Sequence, residues 1–138
     1  MRAKDIRQTL AELALDTNEY RINAGGAMAL YGLREETHDL DIWCTKKLGD
    51  TLAQRCAFET MPDGTRRFVP APDVEIYENL QPGDTVLLDG IPVASLREVL
   101  AFKRSLNREK DQKDIAVLEA AVAAQAADFT VVPIQTED

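Results

Sequence analysis

Histidine and cysteine are scarce in this chain: His38 is the only histidine, and Cys44 and Cys56, with eleven residues between them, are the only cysteines. That inventory excludes a zinc centre of the clustered Cys/His kind. It also excludes a disulfide framework, and both thiols are expected as core or surface filler. Long apolar runs are missing as well: nothing approaches the roughly 20 residues that span a bilayer. The N-terminal MRAKDIRQTLAEL carries charge within its apolar periodicity and lacks a signal-peptide core. A cytoplasmic protein with no membrane association is therefore expected. Positive charge is in deficit, with 16 basic against 24 acidic residues and a net charge of −8. A general nucleic-acid binder is disfavoured, because such binding comes mostly from phosphate neutralisation. Local basic patches remain at Arg66-Arg67 and across Lys103 to Lys113.

What is present is an ordinary globule: 45% apolar and 29% charged residues over 138 positions. A chain of this length buries about two thirds of its unfolded surface and needs no staple. Apolar spacing at Ile6, Leu10 and Leu13 predicts an amphipathic helix over 3–15. Tyr20 to Ala24 reads as a strand entering a tight turn at Gly25-Gly26, with a short helix over 27–33. Asp39 to Cys44 alternates as a second strand, and 46–58 reads as a helix. Pro62-Asp63-Gly64 marks a turn. Strands are expected over 66–69, 74–77 and 85–88. Ser95 and Glu98 have capping-box spacing at the head of a helix reaching Leu106. After a break at 107–109, a last helix covers 111–126. The reading is one α/β (α+β) domain over 1–130, a small mixed sheet flanked by helices with a C-terminal helical pair. Residues 131–138 are expected to form a frayed tail.

Chemistry concentrates in AGGAMALYGLREETHDLDIW, residues 24–43. Glycines between a strand and a helix let backbone approach an anion closely; taken alone they are most often simple turn residues. Asp39 and Asp41 lie two apart on a predicted strand, so they share a face while Leu40 and Ile42 point to the core. Paired carboxylates suit a divalent cation with oxygen ligands. The plainer alternative is an exposed strand face carrying two solvated aspartates. A third carboxylate comes from Asp73-Val74-Glu75-Ile76-Tyr77, which alternates in the same way. If that strand neighbours 39–44, Glu75 completes the cluster, with Asp73 the competing choice on the same face.

Ala24-Gly25-Gly26, Ala29-Leu30, Gly32, Arg34, Thr37 and Asp39-Leu40-Asp41-Ile42 together resemble the nucleotidyltransferase superfamily, the polymerase-beta-like fold. The branch most resembled is that of small bacterial proteins including AbiEii-type toxins and minimal nucleotidyltransferases. Lys103, Arg108, Lys110-Asp111 and Asp114-Ile115 are similar to the helical pair of the same branch. The resemblance touches residues 22–118. It implies an enzyme that moves a nucleoside monophosphate from an NTP to a hydroxyl of RNA, protein or a small molecule, releasing pyrophosphate. Asp39, Asp41 and Glu75 would bind Mg2+ or Mn2+ and be catalytic, and Gly25 and Gly26 would hold the triphosphate. It also implies a possible partner protein, as in a toxin–antitoxin-like pair. Where many active members carry Ser or Thr after the glycines, this chain has Ala27. That departure favours an alternative, a degenerate member acting as a nucleotide- or partner-binding module; the retained carboxylates favour the enzyme.

Two cations are candidates for the nucleotide. Arg34 either approaches a phosphate or pairs with Glu35, Glu36 or Asp39. Lys103 falls at i+7 from Leu96 on a face otherwise apolar, so it either contacts a phosphate or bridges to Asp111 or Asp114. His38 is read as incidental, and Trp43 as core packing before base stacking.

Overall fold

The computed structural model of the chain describes residues 1–136, with side chains through residue 125. Residues 137 and 138, the end of the expected tail, lie outside the described residues. Two compact units divide the chain, Met1–Ser95 and Leu96–Asp138. No helix among the described residues is long and apolar enough to cross a membrane.

The first unit holds a seven-stranded mixed sheet and three helices. Helix α1 (Ala3–Leu13) buries Ile6 and Leu10, as its periodicity requires. It opens on Arg2, whose N–H donates to Asp5 Oδ2 at 2.9 Å. It closes at Ala14 in the left-handed region (φ 51°). Strand β1 (Tyr20–Asn23) runs directly into helix α2 (Ala24–Leu30), which packs on β1 and on β2 (Leu40–Cys44). The expected turn at Gly25-Gly26 is displaced by one residue. Both glycines are helical, and the corner is Ala24 at φ 56°, steadied by its N–H donating 2.7 Å to Asn23 Oδ1. Helix α3 (Lys46–Ala53) is capped by Thr45 and buries Leu48 and Leu52. It ends before the expected residue 58 because the chain turns into a strand there.

Three hairpin turns build the rest of the sheet. β3 (Phe58–Thr60) joins β4 (Arg66–Ala71) through the Pro62-Asp63-Gly64 turn, with Gly64 at φ 88°. β4 joins β5 (Val74–Tyr77) through Pro72-Asp73, whose Pro followed by a positive φ (61°) is the type II combination. β6 (Thr85–Leu88) joins β7 (Ile91–Ala94) through Asp89-Gly90, both at positive φ, as a two-residue hairpin demands. The strand order is β3-β4-β5-β2-β1-β7-β6. β1 is antiparallel to β2 and parallel to β7, and β2 is parallel to β5. β3 and β7 are strands that the sequence reading did not anticipate.

Period-2 alternation then sorts the central strands into two faces. Ile22, Leu40, Ile42, Cys44, Phe68, Val74, Ile76 and Val93 all have no exposed surface and form the core. The opposite face carries Arg21, Asn23, Asp41, Trp43, Glu75, Tyr77 and Arg67.

The second unit is a helical pair, α4 (Leu96–Leu106) and α5 (Gln112–Thr136), joined through a 3-10 turn at Glu109–Asp111. Asn107 at φ 46° ends α4. Ions pin the hairpin: Lys103 Nζ lies 3.3 Å from Asp111 Oδ1 and 3.2 Å from Asp114 Oδ2. Arg108 adds a two-pronged contact to Asp111, at 2.7 and 3.0 Å. Of the two expectations for Lys103, the structure displays the bridge.

Candidate functional site

The polar face of the sheet has a row of three facing residues at its centre. Asn23 on β1 is the register partner of Asp41 on β2, and Asp41 is the register partner of Glu75 on β5. The condition attached to Glu75, that its strand lie beside the aspartate strand, is met. Asp41 and Glu75 are half-buried, while Leu40, Ile42, Val74 and Ile76 on either side of them are in the core.

Two like charges at neighbouring positions repel, and a third group offsets them. Arg67 on β4 pairs with Glu75 Oε1, and the Tyr77 hydroxyl donates to Glu75 Oε2 at 3.0 Å. The Arg67 guanidinium holds the Glu75 carboxyl below the usual carboxylate range, with smaller help from Tyr77 and from the adjacent Asp41. Burial pushes the Tyr77 phenol up, against the opposing effect of Arg67 and with smaller help from Glu75 and Asp41, so it stays a donor at neutral pH. On its other side Arg67 lies 3.7 Å from Glu59 Oε2 on β3.

Asp39 precedes β2 by one residue and gathers different company. Leu40 N–H donates to Asp73 O at 2.8 Å, which carries the β2–β5 ladder up to the Pro72-Asp73 turn. Asp39, His38 and Asp73 offer ligand atoms all within 4.8 Å of one another. His38 Nε2 is 4.0 Å from Asp39 Oδ1 and its side chain is 90% exposed. Among the described residues this is the group that meets that spacing; Asp39, Asp41 and Glu75 do not form such a group. The carboxylates therefore lie as an inner pair, Asp41 with Glu75, and an outer pair at the strand ends, Asp39 with Asp73.

Gly25 and Arg34 meet at the head of α2, where Gly26 faces the sheet. A methyl group on Gly25 would lie 2.5 Å from Thr37 Oγ1 and 3.2 Å from Arg34 Nη1, and one on Gly26 3.0 Å from Leu40 Cδ1. The glycines are thus close-packing residues: Gly25 lets the loop carrying Arg34 and Thr37 approach α2, and Gly26 seats the helix on the sheet. Thr37 is buried, and its hydroxyl donates to Asp39 O at 3.0 Å, tying this loop to the carboxylate strand. The left-handed Ala24 costs about 1–2 kcal/mol at the junction between Asn23 and this loop. Lys103 belongs to the second unit, where Asp111 and Asp114 already match its charge.

Sequence reasoning missed Arg67 and Tyr77 as partners of Glu75. The signal was Pro72-Asp73: a two-residue turn there folds 66–71 back on 74–77 and sets Arg67 opposite Tyr77.

No family model matches the sequence, and no curated protein matches it. Among solved structures, similarity is found to a Helicobacter pylori protein provisionally assigned as a nucleotidyltransferase. The identity is 17%, over 73% of this chain and 56% of that one, with a TM-score of 0.46. It is also found to JHP933 from Helicobacter pylori, at 18% identity over 62% of this chain and 47% of that one, with a TM-score of 0.42. The chain spans about half the length of each of these proteins.

Proposed function

We propose that this chain is a metal-dependent nucleotidyltransferase, transferring an NMP group from an NTP to a hydroxyl of RNA, protein or a small molecule with release of pyrophosphate. The observation carrying this reading is the register pairing of Asp41 with Glu75 on the polar face of the sheet. The donor set suits Mg2+ or Mn2+, hard cations that take carboxylate oxygens. Asp41 and Glu75 would hold the ion; Asp39, the third carboxylate that the sequence resemblance implies, stands instead with His38 and Asp73 at the strand ends. When bound, such a cation neutralises charge on the triphosphate and on the attacking and leaving oxygens. The chain's own contribution is positional. Thr37 fixes the backbone of Asp39, Tyr77 orients Glu75, and Gly25 lets Arg34 sit where its charge would meet a phosphate.

A second reading has its own support. Arg67 already compensates Glu75, and Ala27 takes the place of a hydroxyl residue, as in a binding module without catalysis. Thermal unfolding with each NTP, with and without Mg2+ or Mn2+, tests binding on the wild type and on Asp41→Asn. A metal-dependent NTP shift is expected, worth about 2.7 kcal/mol at 100 times Kd, and Asp41→Asn should abolish it. The absence of any metal-dependent shift would overturn the proposal. Pyrophosphate release in the presence of a hydroxyl acceptor then separates the enzyme from the module.

A further inference from the structure

We propose that Arg67 is the resident counter-charge of Glu75, a guanidinium that moves from Glu75 to Glu59 when a divalent cation binds at the Asp41–Glu75 pair. This rests on the reading of that pair as the metal-binding centre and concerns how the centre is filled. An arginine cannot shed its charge by deprotonation, so it leaves only by moving. Arg67 stands on β4 between two carboxylates. One is Glu75 on β5, which it contacts directly; the other is Glu59, its register partner on β3, at 3.7 Å. The Glu75 side chain is 24% exposed and that of Glu59 66%, so the two resting places differ in solvation.

Both Glu75 oxygens are engaged as the structure stands, Oε1 by Arg67 and Oε2 by the Tyr77 hydroxyl. A divalent ion beside this guanidinium would face direct charge repulsion in a partly desolvated place. Mg2+ also demands near-ideal octahedral oxygen geometry, which an oxygen turned toward Arg67 does not offer. Moving the guanidinium to Glu59 relieves both conflicts. Glu75 Oε1 is freed for the ion that Asp41 and Glu75 would hold, and the arginine keeps a carboxylate. Tyr77 remains on Oε2 and orients the carboxylate in both states, as outer partners of ligands do.

Mn2+ binding, measured by the loss of free-ion EPR signal and by calorimetry, tests this on the whole chain. The comparison set is the wild type, Arg67→Gln, Glu59→Gln and, as the control for the centre, Asp41→Asn. Arg67→Gln should bind Mn2+ at least about tenfold tighter, because a competing charge is gone. Glu59→Gln should bind several-fold weaker, because the displaced guanidinium loses its second partner, and Asp41→Asn should not bind. Wild-type binding that Asp41→Asn abolishes, with Arg67→Gln equal or weaker, overturns the displacement and leaves the metal centre standing. No Mn2+ binding by either the wild type or Arg67→Gln removes the centre itself and this proposal with it. Should Arg67→Gln not fold, Mg2+ titration of the wild type followed at the Arg67 Nε–H NMR signal decides. A shift that saturates with Mg2+ and is altered in Glu59→Gln supports the displacement, and an unmoved signal overturns it.

Discussion

A methyl group on Gly25 would fall 2.5 Å from the Thr37 hydroxyl oxygen, and Thr37 is only 6% exposed, so it has little room to retreat. Overpacking of this kind costs about 1–3 kcal/mol, while alanine in place of a helical glycine returns up to about 1 kcal/mol. Gly25→Ala should therefore lose roughly 1–2 kcal/mol net, read from urea unfolding. The displaced Thr37 hydroxyl would also release Asp39 O, so the same variant should weaken Mn2+-dependent nucleotide binding. Removing the obstacle tests the cause. In Gly25→Ala, Thr37→Ala the combined loss should be smaller than the sum of the single losses, as neighbouring residues that share one clash are not additive. Additive losses would assign the cost of Gly25→Ala to the helix backbone instead.

At the scale of elements, Lys103 shows how an ion inside a helical pair sets its register. Its side chain is 8% exposed and faces Asp111 and Asp114, with side chains 2% and 18% exposed. Removing one partner of a buried pair costs about 3–5 kcal/mol because the other charge is stranded. Arg108 still reaches Asp111 from the same turn, so Lys103→Met should cost toward the low end of that range, and Lys103→Met combined with Asp111→Asn less than the sum of the two single losses. Additive losses would refute the pairing. Half of this was legible in the sequence: apolar spacing placed Lys103 inward and left two partners open, a phosphate or the aspartates Asp111 and Asp114, and the structure displays the aspartates. Alternation was legible in β2 and β5, where it separated Leu40, Ile42, Val74 and Ile76 from Asp41 and Glu75. Less legible were strands too short or too uniformly buried to alternate. β3 has three residues, all exposed, and β7 is Ile-Pro-Val-Ala, buried throughout. The signal for β7 was Asp89-Gly90, which the sequence reading did not use: an Asp-Gly pair after one strand favours a two-residue hairpin into a second. Arg67 was hidden because a side chain's partner across a hairpin depends on register, which composition does not carry.

For the whole molecule, the response to acid follows from where its carboxylates sit. With 24 acidic residues against 16 basic, the chain relies on a few cations placed against particular carboxyls. In the second unit Arg108, then Lys103, hold Asp111 down to about 2 from 3.8, against the opposing effect of its burial. In the first, Arg67 lowers Glu75 and Arg66 lowers Asp50. Each of these carboxyls is more acidic folded than unfolded, so each stabilises the fold above about pH 4 and loses that effect as pH falls through its folded value. Asp111 alone contributes roughly 2 kcal/mol at neutral pH, at about 1.4 kcal/mol per pKa unit. Urea midpoints at pH 7, 4 and 2.5 should accordingly change little over the first interval and fall over the second. Asp111→Asn should start lower at pH 7 and flatten the second step, because the group whose protonation drives it is gone. Arg67→Gln should flatten it as well, and by a route confined to the first unit. A midpoint that falls as steeply in Asp111→Asn as in the wild type would show that acid lability comes from general charge imbalance and not from these pairs.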